Sequence, residues 1–204
     1  MPIPKPYFYY PNLIGYTRVI SAILSFNLAD KYPITAIAFY TFSFLLDALD
    51  GLAARTFNQA TQFGAVLDMV TDRFATACLC FNIAAVYPSS RFILQCLTAL
   101  DIVSHWFHMY DSLSSGNKSH KLIDETKNRF IKLYYTSRTC LTIMCLGNEL
   151  FYIAWLLSYY HPKLALYILA FNFPIFALKT AMNVVQLCSS VQSIVLRDAA
   201  AKEE

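Results

Sequence analysis

The sequence predicts an all-α integral membrane protein, with six transmembrane helices behind an interfacial N-terminal segment. Three observations carry this reading. Hydrophobic residues make up 57% of the 204 and charged ones only 14%, where a soluble domain carries about a quarter charged. Mean hydropathy is +0.43. Apolar stretches close to the ~20 residues that a bilayer-crossing helix needs recur between short polar turns. A water-soluble globule and a disordered chain are excluded by the same composition. The net charge of +3, with no lysine–arginine run on a polar surface, leaves no footprint for nucleic acid.

The elements follow in order. Residues 1–11, rich in proline and aromatics, read as an interfacial leader, because Tyr and Phe favour the headgroup zone. Spans are expected at Leu13–Ala29, Ile34–Phe57, Ala65–Tyr87, Phe92–Tyr110, Thr139–Tyr160 and Leu164–Leu196. Turn signals part them at Asp30-Lys31-Tyr32-Pro33, Pro88-Ser89-Ser90 and His161-Pro162-Lys163. The exception is the long polar connection 112–138, which carries Lys118, Lys121, Lys127, Arg129, Lys132 and Arg138. Six spans put this loop on the side of both termini, while the opposite side holds Lys31, Arg91 and Lys163. The positive-inside rule then sets loop, termini and the 197–204 tail in the cytosol. No internal repeat or low-complexity tract divides the chain, so 1–204 reads as a single domain.

Cys78, Cys80, Cys96, Cys140, Cys145 and Cys188 all lie in apolar stretches without the C-x2-C spacing of a zinc site. Buried, inert thiols of an intracellular protein are expected. The N-terminus lacks the charged region, apolar core and cleavage site of a signal peptide, so the first span is expected to be retained.

Acidic residues inside spans are the informative anomaly. Asp47, Asp50, Asp68 and Asp72 all fall in or at the ends of the second and third spans. A charge at the bilayer centre costs ~2.5–3.5 kcal/mol, so four unpaired ones would cost on the order of 10 kcal/mol. At about 100° per residue, Asp47, Asp50, Gly51, Ala54 and Arg55 share an arc of roughly 140°. Gly64, Asp68 and Asp72 lie within about 80° on the next span. Two helices joined by a short turn are expected to be antiparallel neighbours, so the acidic faces can meet. Converging carboxylates suit a hard divalent cation such as Mg, Mn or Ca, and glycines on those faces permit close approach. The competing reading is an ion-pair network with Arg55 and Arg73. Four acids against two arginines leave negative charge over, and Arg73 sits about 100° round the helix from Asp72. A small divalent-metal transporter is the other function class these carboxylates allow; Arg55 and the ordered glycines argue against it.

A second group, Asp101, His105 and His108, shares one face of the fourth span at i, i+4 and i+7. It could be a 2-His-1-carboxylate metal site, but a polar stripe lining the same cavity or pairing across helices is preferred. On the fifth span, Asn148 and Glu149 are polar in an apolar context and are expected to satisfy each other or a neighbouring helix.

The run Asp47-x2-Asp50-Gly51-x2-Ala54-Arg55-x8-Gly64-x3-Asp68-x3-Asp72 resembles the signature of the CDP-alcohol phosphotransferase family, with every fixed position filled. Pro11-Asn12-Leu13 with Arg18 is similar to the start of that family's first helix. Ser104-His105-Trp106, Tyr134-Tyr135-Thr136-Ser137-Arg138 and Gly147-Asn148-Glu149-Leu150-Phe151-Tyr152 extend the likeness to the members that use myo-inositol. The resemblance implies the CDP-alcohol phosphotransferase fold, often dimeric, in the endoplasmic reticulum membrane, with a two-metal Mg2+ or Mn2+ site open to the cytosol. It implies that Asp47, Asp50, Asp68 and Asp72 hold the metals and that Asp72 doubles as general base. Gly51, Arg55 and Thr61 would contact the CDP-diacylglycerol head group. The expected reaction joins a phosphatidyl group to myo-inositol and releases CMP, with serine or glycerol phosphate as alternative acceptors. Inositol needs directed hydrogen bonds, for which His105 and Arg138 are the candidates, with Asp101, His108 and Lys121 nearby.

Overall fold

The computed structural model describes residues 5–114 and 138–203. A 3-10 turn at Lys5–Phe8 leads into α1 (Tyr10–Leu28), α2 (Pro33–Thr56) and α3 (Gln62–Val86). A second 3-10 turn, Pro88–Ser90, precedes α4 (Arg91–Ser114), and α5 (Arg138–Leu157) and α6 (Pro162–Glu203) follow. No strand occurs among the described residues.

Helix starts follow local chemistry. Proline stands in the first turn of α1, α2 and α6, where its missing N–H would be unpaired in any case. Thr61 caps α3 by accepting from the Gly64 N–H at 3.0 Å. Asn58 makes the turn before it with φ of 52°, a left-handed conformation that asparagine tolerates.

Several expected boundaries move. The leader gives up Tyr10 and Pro11 to α1 because Pro11 starts a helix well. The basic connection loses its first residues to α4 and Arg138 to α5. The supposed tail from residue 197 continues α6 to Glu203, since Arg197 to Lys202 contains alanines and other strong helix formers. Asn117, Lys118, Lys121, Lys127, Arg129 and Lys132 lie outside the described residues, as does the side chain of Arg138.

Among the described residues, four helices are long and apolar enough to cross a membrane: α2, α3, α5 and α6, with mean hydropathies of 1.4, 1.3, 1.6 and 1.6. By that measure α1 and α4 fall short. Asn12, Arg18 and Asn27 interrupt the first, and Arg91, Gln95, Asp101, His105, His108 and Asp111 the second.

The chain forms two compact units, Met1–Leu94 with Tyr152–Tyr167, and Gln95–Phe151 with Ile168–Glu204. In the first, α1 packs against α2 and α3. Ser25 Oγ donates to the Ala36 carbonyl at 2.7 Å and Ser43 Oγ to the Arg18 carbonyl at 2.9 Å, tying α1 to α2. Leu79, Cys80, Ile83, Leu94, Ala154 and Ala165 are fully enclosed in this unit. In the second unit, Phe151 stacks on Phe176 with centroids 4.1 Å apart. Gly147 faces Ile175 so closely that a Cβ would stand 2.6 Å from Cγ2.

Large apolar side chains such as Ile23, Phe74, Phe81, Phe92 and Phe171 are exposed, while serines, asparagines and small residues are buried. This pattern suits lipid surroundings, where small and polar groups mediate helix contact. The cysteines follow it too. Cys80 alone is buried, Cys96 and Cys188 are exposed, and none of the six forms a disulfide. The expectation of buried thiols is corrected accordingly: a thiol behaves as a small hydrophobe and needs no shelter on an apolar face.

Candidate active site

The two acidic faces meet, and they do so at α1. Arg18 lies between them with its side chain only 3% exposed. Its Nη1 donates to Asp50 Oδ2 at 2.6 Å and Asp68 Oδ1 at 2.7 Å. Its Nη2 contacts Asp47 Oδ1 at 2.7 Å and also donates to Asp72 Oδ1. One guanidinium thus gathers four carboxylates from two helices. The carboxylates themselves are more open, with the Asp68 side chain 47% and that of Asp47 34% exposed.

One oxygen each from Asp47, Asp50 and Asp68 lie within 4.8 Å of one another. That is a set of hard oxygen donors fit for Mg2+ or Mn2+. Asp72 stands beside this triad, its Oδ1 on Arg18 and its Oδ2 at 3.4 Å from Arg73 Nη2. Arg73 does reach Asp72, contrary to the helical-wheel expectation, because a long flexible side chain can bend back through the 100° that parts the two positions.

A cavity of about 160 Å³ opens next to the cluster. Asp50 and Asp68 line it together with Asn12, Gly51, Thr61 and Gly64. A Cβ on Gly64 would stand 2.9 Å from Asn12 Oδ1, so this glycine permits the close α1–α3 approach. Gly51 serves a different purpose. A Cβ there would meet Arg55 Nη1 at 3.3 Å, so the missing side chain is the seat of the exposed Arg55 guanidinium. Thr61 lines the cavity, although its Oγ1 already accepts the capping hydrogen bond of α3.

Arg18 is what sequence reasoning missed. The competing ion-pair reading named Arg55 and Arg73; Arg73 meets Asp72, and Arg55 makes no ion pair among the described residues. A signal existed: an arginine inside an apolar span is as costly as the aspartates, so it should have entered the same charge count.

In the second unit, His105 Nδ1 lies 2.8 Å from the Asp101 carbonyl and 3.6 Å from its carboxylate. Asp101 Oδ1 also accepts from Asn183, whose Oδ1 accepts from the buried Lys179 at 2.6 Å. His108 is exposed and Glu149 buried. Among the described residues, only Asp47, Asp50 and Asp68 come together as a group of metal-ligating side chains. Asp101 joins α4 to α6 through Asn183, while His105 bonds to Asp101 on its own helix, and the second metal site is set aside.

Residues 8–160 match the model of the CDP-alcohol phosphatidyltransferase family, which spans the whole carboxylate motif. The chain belongs to this family. This CDP-alcohol phosphatidyltransferase is 41% identical to the CDP-diacylglycerol–inositol 3-phosphatidyltransferase of Homo sapiens, over 98% of its own length and 97% of the relative's. It is 48% identical to the enzyme of the same name from Candida albicans, over 89% of this chain and 79% of that one. The Saccharomyces cerevisiae enzyme is 45% identical, over 88% and 82% respectively. No solved structure matches the chain.

Proposed function

We propose that the protein transfers the phosphatidyl group of CDP-diacylglycerol to myo-inositol, giving phosphatidylinositol and CMP. The observation that carries the donor chemistry is the meeting of Asp47, Asp50, Asp68 and Asp72 beside a cavity lined by Gly51 and Gly64. The acceptor assignment is supported by relatives that bear the inositol transferase name along nearly the full chain.

Asp47, Asp50, Asp68 and Asp72 would hold a two-metal Mg2+ or Mn2+ centre. When bound, the cations supply positive charge for the pyrophosphate and for the attacking and leaving oxygens. Gly51 and Thr61 let the head group of CDP-diacylglycerol into the cavity, and Arg55 lays its planar fork on a phosphate. An inositol hydroxyl oxygen attacks the phosphorus that carries the diacylglycerol. A new P–O bond forms, and the P–O bond to CMP breaks with its electron pair leaving on CMP. Asp72 receives the hydroxyl proton, for which it must release Arg18 or Arg73. His105 and Arg138 donate hydrogen bonds to inositol, and this discriminates strongly between polyols.

The whole chain acts as one membrane domain of six spans and works as a homodimer. It sits in the endoplasmic reticulum membrane with the site, the basic connection and both termini toward the cytosol. The test is CMP release by purified protein supplied with CDP-diacylglycerol, Mg2+ or Mn2+ and a panel of acceptors. Inositol-dependent CMP and phosphatidylinositol are expected. Equal rates with serine or glycerol phosphate would overturn the acceptor, and no CMP with any acceptor would overturn the reaction.

A further inference from the structure

The Arg18 geometry has a stoichiometry that ion pairing alone does not require. The two terminal nitrogens of the guanidinium meet four carboxylates, two per nitrogen: Asp50, Asp68 and Asp72 accept hydrogen bonds, and Asp47 is ion-paired with Nη2 at 2.7 Å. Each aspartate is held by one oxygen only. The second oxygen of Asp72 faces Arg73. For Asp47, Asp50 and Asp68, no N–H group among the described residues holds the second oxygen. These are the same three residues whose oxygens converge within 4.8 Å. Arg18 Nε is buried without a hydrogen-bond partner, so no other hydrogen bond orients the head group. The Arg18 backbone is fixed separately, by Ser43 Oγ.

We propose that Arg18 is the positioning residue of the metal site: it grips one oxygen of each aspartate and thereby presents the second oxygens of Asp47, Asp50 and Asp68 to a divalent cation. This rests on the metal-site reading above. Lysine could not substitute, because an ammonium is a compact charge with three N–H groups and no planar fork. Groups that orient metal ligands from behind change metal affinity by about 10–100-fold when altered.

The test uses full-length protein purified in detergent, with Mn2+ affinity read by electron paramagnetic resonance and stability by thermal melting in EDTA. Wild-type protein is expected to bind Mn2+. Arg18→Lys should fold, melt within a few degrees of wild type, and bind Mn2+ at least 10-fold more weakly; Arg18→Gln should lose as much or more. Wild-type affinity in Arg18→Lys would overturn the proposal. So would tighter Mn2+ binding by Arg18→Gln, because Arg18 would then compete with the cation. If neither variant folds even with Mn2+ present, Arg18 is a structural residue only and the proposal falls. A wild-type protein that binds no Mn2+ would refute the metal-site reading itself, a result distinct from all of these.

Discussion

Gly64→Ala separates close packing from helix preference at one position. Alanine in place of glycine favours a helix by up to about 1 kcal/mol. Against this, the new Cβ would stand 2.9 Å from Asn12 Oδ1 and 3.2 Å from Thr61 Oγ1. Asn12 cannot swing away cheaply: it is 1% exposed, and its Nδ2 is tied to the Pro6 carbonyl at 2.7 Å. Overpacking of this kind costs about 1–3 kcal/mol, and disturbing the Thr61 cap costs about 1 kcal/mol. With the full helix preference credited, the net is a loss of about 1–3 kcal/mol, or a melting point lower by roughly 2–12 °C for a chain of this size. Because Asn12, Thr61 and Gly64 all line the cavity, the KM for CDP-diacylglycerol should rise while that for inositol holds. Gly147→Ala is the control, since its Cβ would meet Ile175 at 2.6 Å and neither residue lines the cavity. It should lower the melting point and leave the donor KM unchanged. A Gly64→Ala protein that melts at or above wild type with normal donor KM would refute the reasoning.

Asp47→Asn and Asp68→Asn should each abolish turnover and weaken Mn2+ binding, because an amide removes a hard anionic ligand; titration and CMP release check both. Asp72→Asn should lose activity yet retain much of its CDP-diacylglycerol binding, and appreciable turnover at any pH would exclude it as the base. His105→Ala or Arg138→Ala should raise the KM for inositol several-fold with little change for the donor; well-folded variants with normal inositol kinetics would move the pocket elsewhere. Asn117, in the sequon Asn117-Lys118-Ser119, should carry no sugar if the basic connection is cytosolic, and a glycan detected by mass spectrometry would invert the topology.

The acidic motif was legible because charge in an apolar span is conspicuous and helical periodicity is rigid. Four aspartates at these spacings can face only one way on their helices. Proline-marked helix starts were legible for a similar reason, as their cause is local. Arg18 was not, because it lies 29 residues before Asp47 on another helix and its role exists only once α1 has packed between the two acidic faces. Arg55 and Arg73 were the arginines weighed as partners from their neighbourhood in sequence, yet Arg55 sits over the space left by Gly51 and only Arg73 meets an acid. The stripe of Asp101 and His105 was placed correctly on one face. What it touches, Asn183 and through it Lys179 on α6, is set by tertiary packing that no spacing encodes.

An arginine at the centre of a proposed cation site looks contradictory until the charges are counted. Four carboxylates with the Arg18 and Arg73 guanidinium groups leave a formal −2, still an attraction for cations despite the resident positive charge. Two divalent ions would turn that into +2, against +1 without Arg18. The arginine therefore biases the proposed loaded state toward an anion, as a pyrophosphate donor requires. A transporter would gain nothing from this arrangement. A buried guanidinium that holds an oxygen of every carboxylate sets a fixed positive charge in the path of a permeating cation, where it raises the barrier to passage.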